Sequence, residues 1–165
     1  MKTVIIINGA GGVGKDFLCD VASEKYDVLN ISSITPIKEL AYSAGWDGAK
    51  DEKSRRFLGD LKKLLVEFND YPTQYCMDKY EHFMHDTSAK IMFVHIREPE
   101  EIAKLKAKIP TKCITLLVKR DTGVTWGNEH DDNVEKYDYD YIYNNCHSLE
   151  DTPAKFMTFL NEILR

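Results

Sequence analysis

The chain has 165 residues, 43% apolar and 30% charged, and its 22 Lys and Arg against 27 Asp and Glu give a formal charge of −5. A chain of this size buries roughly 68–70% of the surface its unfolded form exposes, so one full core is expected, and nine Tyr, seven Phe and two Trp argue against disorder. Acidity argues against a nucleic-acid polymer as partner, and Cys19, Cys76, Cys113 and Cys146 are too scattered for a zinc site or a disulfide scaffold.

Val4 to Ile7 is a continuous β-branched run ending at Asn8-Gly9, the pattern of a strand buried on both faces in a parallel sheet. It is too short for a signal-peptide core or a membrane span, and no later run is longer, so a cytoplasmic protein with reduced thiols is expected. The glycine cluster Gly9-Ala10-Gly11-Gly12-Val13-Gly14-Lys15-Asp16 comes next, then a helix from about residue 14 to 24 carrying Phe17, Leu18, Val21 and Ala22. A weaker strand candidate spans Tyr26 to Ile31. Thr35-Pro36 reads as an N-cap followed by a proline that starts a helix, with Gly45 as its terminator. Phe57, Leu58, Leu61, Leu64, Leu65 and Phe68 trace one face of a long helix that stops near Asn69-Asp70, before Pro72. Cys76, Tyr80, Phe83 and Met84 suggest a further helix.

Strands are expected at Ile91 to Val94 and Cys113 to Val118, with a weaker one at Tyr139 to Tyr143. Thr152-Pro153 opens a last helix whose buried stripe is Phe156, Phe159, Leu160, Ile163 and Leu164. Alternating strands and helices predict a single α/β domain over residues 1–165, a three-layer sandwich around a five-stranded parallel sheet. Ser32 to Ala89 is far longer than an ordinary crossover, and two or three helices inserted there would overhang the carboxyl ends of the strands, where open α/β sheets bind ligands.

The glycine cluster matches G-x-x-x-x-G-K of a phosphate-binding loop and departs from it at Asp16, where Ser or Thr is usual. Strand before and helix after supply the required context: backbone N–H groups converge on phosphate oxygens, and the helix N-terminus adds favourable partial charge. Lys15 would follow charge onto the transferring phosphate, and Asp16 would bind Mg²⁺ directly or through water. The competing reading of Asp16 is loss of magnesium. A GTPase is disfavoured: Val118-Lys119-Arg120-Asp121 lacks the Asn of Asn-Lys-x-Asp, and no Asp-x-x-Gly follows a core strand.

The Gly-Lys-Asp ending of the loop, Pro36-Ile37-Lys38-Glu39-Leu40 and the run from Ala44 to Arg56 resemble phage-type deoxynucleoside monophosphate kinases, within the adenylate-kinase-like superfamily. Tyr139 to Asn145 followed by Ser148-Leu149-Glu150 is similar to that family's last strand and adenine loop. The resemblance implies a nucleoside monophosphate kinase-like P-loop fold and transfer of the γ-phosphoryl of ATP, with Mg²⁺, to a nucleoside or deoxynucleoside monophosphate. Its ATP-binding residues would be Gly9, Ala10, Gly11, Gly12, Val13, Gly14, Lys15, Asp16, Phe17 and Asn145. The insertion at about 32–89 would bind the acceptor, with Lys38, Arg55 and Arg56 toward phosphate and Tyr42 and Trp46 around the base.

Lys15, Arg97 and Arg120 are the implied catalytic residues. Arg97 keeps the place of the family's Asp-x-Arg, but His95 stands where the acid is expected and brings no negative charge at neutral pH. A lid-like segment at about 120–138 carries Asp121, Glu129, Asp131, Asp132, Glu135 and Asp138 against Lys136, an unusual charge for a lid over phosphates. Asp131-Asp132-Asn133 lacks EF-hand spacing, His82 and His85 read as a helix-surface pair, and Cys146-His147 is assigned no covalent chemistry. Two other readings stay open: a kinase of another small phosphorylated metabolite, and a nucleotide-binding regulatory protein that has lost turnover. Partners are expected to be small nucleotides, with the chain a monomer or homodimer and no membrane contact.

Overall fold

A computed structural model of the chain describes residues 1–120 and 133–165. Five strands, β1 (Thr3–Asn8), β2 (Val28–Ser32), β3 (Ile91–His95), β4 (Lys112–Lys119) and β5 (Tyr141–Asn144), form one parallel sheet in the order β2-β3-β1-β4-β5. The helices are α1 (Lys15–Ser23), α2 (Thr35–Ser43), α3 (Glu52–Asn69), α4 (Tyr71–His85), α5 (Pro99–Lys108) and α6 (Thr152–Leu164), with a 3-10 turn at Val134–Lys136. This is the expected three-layer α/β sandwich around a five-stranded parallel sheet.

The β-branched runs are continuous because both sheet faces are covered, and successive side chains enter different cores. Ile5 and Ile7 of β1 join Ile91 and Phe93 of β3 under α1 and α6, where Leu18, Val21, Phe156, Leu160 and Ile163 close the layer. Val4 and Ile6 join Met92 and Val94 on the other face, against Cys76, Tyr80 and Phe83 of α4 and Ile102 and Leu105 of α5. Burial pushes the thiols of Cys76 and Cys113 up to about 12, which keeps them protonated and unreactive. No helix among the described residues is long and apolar enough to cross a membrane.

Several local expectations are corrected. Thr35 is the first helical residue rather than the cap, and Ile34 holds the cap position. Pro36 therefore sits one place further in. On α4, Met84 is 38% exposed while Thr73 is buried, so the buried stripe lies a little round the helix from the one expected. α4 itself covers the sheet as an ordinary layer helix, which leaves α2 and α3 as the excursion between β2 and β3. No residue of α3 is buried, although its apolar positions follow the expected period.

β5 starts two residues later than expected because Tyr139 and Asp140 are occupied elsewhere. The Asp140 carboxylate accepts from the Thr115 N–H at 2.8 Å, the Thr115 hydroxyl at 3.0 Å and Lys106 at 2.6 Å. Burial opposes ionisation of Asp140, but the Lys106 and Thr115 hydrogen bonds outweigh it and hold the carboxyl below its ordinary range. The short edge strand is thereby tied to β4 and α5.

Candidate active site

β1 and β3 are neighbours, yet the chain leaves β1 for α1 on one face of the sheet and β3 for α5 on the other. The crevice between their carboxyl ends is a topological switch point, the place where such sheets bind ligands. The glycine loop rises from β1 there, and His95, Ile96 and Arg97 leave β3 beside it; Ile7 and His95 are in register.

Gly9 is wedged against β4. A Cβ on it would lie 2.5 Å from the Val118 carbonyl oxygen and 2.8 Å from Val13 Cγ2, so only glycine lets the loop start this close to the strand. Gly14, at φ 94°, occupies the N-cap of α1, and a Cβ there would meet Asn145 Nδ2 at 2.7 Å. Asn145 is buried and donates to the Val13 carbonyl at 2.8 Å, so the loop after β5 holds the phosphate loop from behind. Gly14→Ala should cost about 1–3 kcal/mol through strained φ and displaced Asn145. Chemical denaturation together with nucleotide titration would check it, and wild-type values in both would contradict this geometry.

Lys15 folds over the loop, its ammonium donating to the carbonyls of Gly9 at 2.6 Å and Ala10 at 3.0 Å. Gly11 and Gly12 face open space, and Asp16 and Phe17 are exposed on the first turn of α1. Asp16 Oδ1 lies 3.9 Å from His95 Nε2, and that nitrogen is 2.9 Å from Asn30 Oδ1 and 3.7 Å from Cys19 Sγ. The 2.9 Å contact to an amide oxygen makes Nε2 the donor, assigning the tautomer with its proton there. Burial lowers the affinity of His95 for a further proton below the ordinary histidine value; nearby Asp16 opposes this and Lys15 reinforces it. The imidazole is thus neutral at pH 7, and the negative charge at this point comes from Asp16.

Asn8, fully buried at the end of β1, was not singled out in the sequence, where its signal was only a polar residue closing an apolar strand. Its amide donates to the Arg97 carbonyl at 3.0 Å and to the Tyr139 hydroxyl at 2.7 Å, and Tyr139 donates to the Val134 carbonyl at 2.7 Å. One side chain therefore links the phosphate loop, the Arg97 turn and the base of the lid-like segment. Arg120 follows β4, exposed, and with Ala10, Val13, Leu117, Lys119 and Glu135 it lines a cavity of about 260 Å³ beside the loop. Lys119 pairs with Glu135 at 3.0 Å. The acidic positions Asp121, Glu129, Asp131 and Asp132 lie outside the described residues.

The excursion carries the remaining candidates. α2 closes in a Schellman turn: Gly45 N–H donates to Tyr42 and Trp46 N–H to Ala41. That turn sets the Trp46 ring 4.6 Å from the Tyr42 ring, and the indole donates to the Ala49 carbonyl at 3.1 Å. Tyr42 is 54% exposed, so the pair offers an open aromatic face rather than core packing. Lys38, Arg55 and Arg56 are exposed on α2 and α3, with Arg56 3.8 Å from Asp60.

Lys62 of α3 was also missed. It bridges Glu98 at 2.7 Å and Glu101 at 3.0 Å, at the start of α5. Burial raises the proton affinity of Glu101. For Glu98, Lys62 outweighs burial and holds the carboxyl low.

No protein-family model matches the chain, and no curated protein matches it in sequence. Solved structures do match in fold. A protein of Thermus thermophilus aligns at 17% identity and a TM-score of 0.54, over 98% of this chain and 97% of that one. A sugar kinase from Janibacter aligns at 9% identity and 0.54, over 98% and 95%. Thymidylate kinase from Candida albicans aligns at 13% and 0.51, over 98% and 92%. At identities this low, the likeness shows a shared fold and no more.

Proposed function

We propose that the protein transfers the γ-phosphoryl group of ATP to a nucleoside or deoxynucleoside monophosphate. The observation that carries the reading is the glycine cradle at the switch point, with the Lys15 ammonium folded across its mouth. The open Tyr42–Trp46 pair favours a nucleobase over a small apolar or sugar acceptor, because flat rings stack on flat rings.

Lys15 and the loop N–H groups would hold the donor phosphates, Arg97 and Arg120 would meet charge developing on the transferred group, and Lys38, Arg55 and Arg56 would receive the acceptor phosphate. Asn145 and Phe17 complete the ATP site. Little covalent work falls to the protein; it aligns donor and acceptor and excludes water. Magnesium, when bound, would neutralise phosphate charge, and the residues fit it: a hard cation takes one exposed carboxylate, Asp16, with phosphate oxygens and water as further ligands.

A coupled ADP-release assay over the common NMPs and dNMPs tests the proposal, and no stimulation by any acceptor refutes it. Asp16→Ala should weaken nucleotide binding about tenfold or more in Mg²⁺ and little in its absence. A magnesium dependence in Asp16→Ala unchanged from that of the wild-type chain would remove the ligand role. The second reading, a nucleotide-binding regulator without turnover, is favoured by the neutral His95 in place of an acid; it requires tight ATP binding beside silence in the kinase assay.

A further inference from the structure

The backbone ladder between β1 and β3 gives out where the crevice begins: its last pair is Ile7 with His95, and the Ile96 N–H reaches the Ile7 carbonyl at 3.4 Å. Arg97 lies beyond it. The buried Asn8 side chain ties the Arg97 turn to the phosphate loop, its oxygen accepting from the Gly9 N–H at 2.8 Å while its amide donates to the Arg97 carbonyl and the Tyr139 hydroxyl. These roles cannot be exchanged, because a carbonyl only accepts and a backbone N–H only donates, so a flipped amide would lose both bonds. Tyr139 accepts from Asn8, and its own proton goes to the Val134 carbonyl. Its ring packs edge-on against Tyr137, 5.2 Å away, beside the core under α4 and α5, and the next residue, Asp140, is bound to Thr115 and Lys106. The hydroxyl is thus a fixed point. Val134 itself is buried and lines the cavity beside the loop.

We propose that Asn8 and Tyr139 are positioning residues through which the Val134 segment sets where Arg97 stands relative to the phosphate loop. The kinetic consequence rests on the phosphoryl-transfer reading: the loop and Arg97 are to meet the same phosphoryl group, and a displacement of about 1 Å between them can cost on the order of 10²-fold in rate. Neither side chain needs to touch substrate to act in this way. One planar amide holds three segments that are distant in sequence, so loosening one contact weakens the others.

Hydrogen exchange on the full chain without nucleotide tests the tie itself. Tyr139→Phe keeps the ring and removes only the hydroxyl, so exchange should quicken about fivefold over 133–138 and also over 96–98, a segment distant in sequence. Kinetics test the positioning role. Per ATP site counted by calorimetry, Tyr139→Phe should lower kcat about tenfold, with the acceptor KM and the affinity for ATP nearly unchanged. Asn8→Ala should lower kcat further, and the double variant no further than Asn8→Ala alone, because both act through one amide. If Asn8→Ala does not fold, Tyr139→Phe decides alone. Quickened exchange confined to 133–138 overturns the proposal. So does a Tyr139→Phe loss that falls on ATP affinity or on the number of ATP sites rather than on kcat, the mark of a purely structural contact. A wild-type chain silent with every acceptor refutes the transfer reading instead, and exchange over 96–98 then decides the tie by itself.

Discussion

Replacing Lys15 with Met should lower phosphoryl transfer about 10²–10³-fold, the usual cost of removing one preorganised group that meets charge developing in a transition state. Lys15 is the first residue of α1, and its ammonium reaches back to the carbonyls of Gly9 and Ala10, so it spans the cradle's mouth, where phosphate would sit. Methionine keeps the length and apolar stem of the side chain while deleting the charge. Thermal unfolding should therefore move little, and the loss should fall on turnover and nucleotide affinity. Initial rates at saturating ATP and acceptor, with calorimetric titration of ATP, provide the measurements. Wild-type turnover in Lys15→Met would show that phosphate charge is met elsewhere in the crevice.

Lys62→Met should destabilise the protein by about 3 kcal/mol at pH 7, the lower end of the cost of leaving buried charge unpaired, because Glu98 is partly solvated. Lys62 is 14% exposed and lies between the Glu98 and Glu101 carboxylates; Glu101 also keeps one buried oxygen without a partner among the described residues. Without the ammonium, both carboxyls should bind protons more tightly in the folded chain than in the unfolded one. The variant should then recover stability as pH falls from 7 toward 5, opposite to the usual behaviour of salt-bridged carboxylates. Denaturant unfolding at pH 5, 6 and 7 would show this directly. Adding Glu101→Gln should restore much of the loss at pH 7, since one of the two uncompensated charges is removed. A variant as stable as wild type at pH 7, with no pH trend, would mean that solvent already compensates the pair. Because Glu98 follows Arg97, loosening this bridge should also lower kcat more than it raises the acceptor KM.

Much of the architecture was legible in the chain because its signals are local. β1, β3 and β4 announce themselves as unbroken apolar runs, since a strand covered on both faces needs no polar alternation. Gly9 to Lys15 marks the loop because its backbone must come close to β4 and to phosphate. α3 and α6 follow from period alone, the end of α3 from Asn69-Asp70 and the start of α6 from Thr152-Pro153. The weaker strands were found but misplaced by one or two residues, as Tyr139 and Asp140 are committed to Asn8, Thr115 and Lys106 across the sheet.

What resisted reading is what depends on residues distant in sequence. Helical period shows that α3 has an apolar face but not how much of that face the molecule covers, because coverage is set by where α2, α4 and α5 arrive. Asn8 beneath the Arg97 turn and Lys62 of α3 against α5 are ordinary residues until the packed chain brings their partners alongside. The sequence by itself determined the class of fold, the phosphate loop and the residue types available for phosphate chemistry, because periodicity and glycine geometry are properties of short segments. Only the tertiary structure decided that Asp16, with a neutral His95 beside it, carries the negative charge at the crevice, and that half the apolar stripe of α3 faces outward, because burial and electrostatic environment are properties of the packed chain.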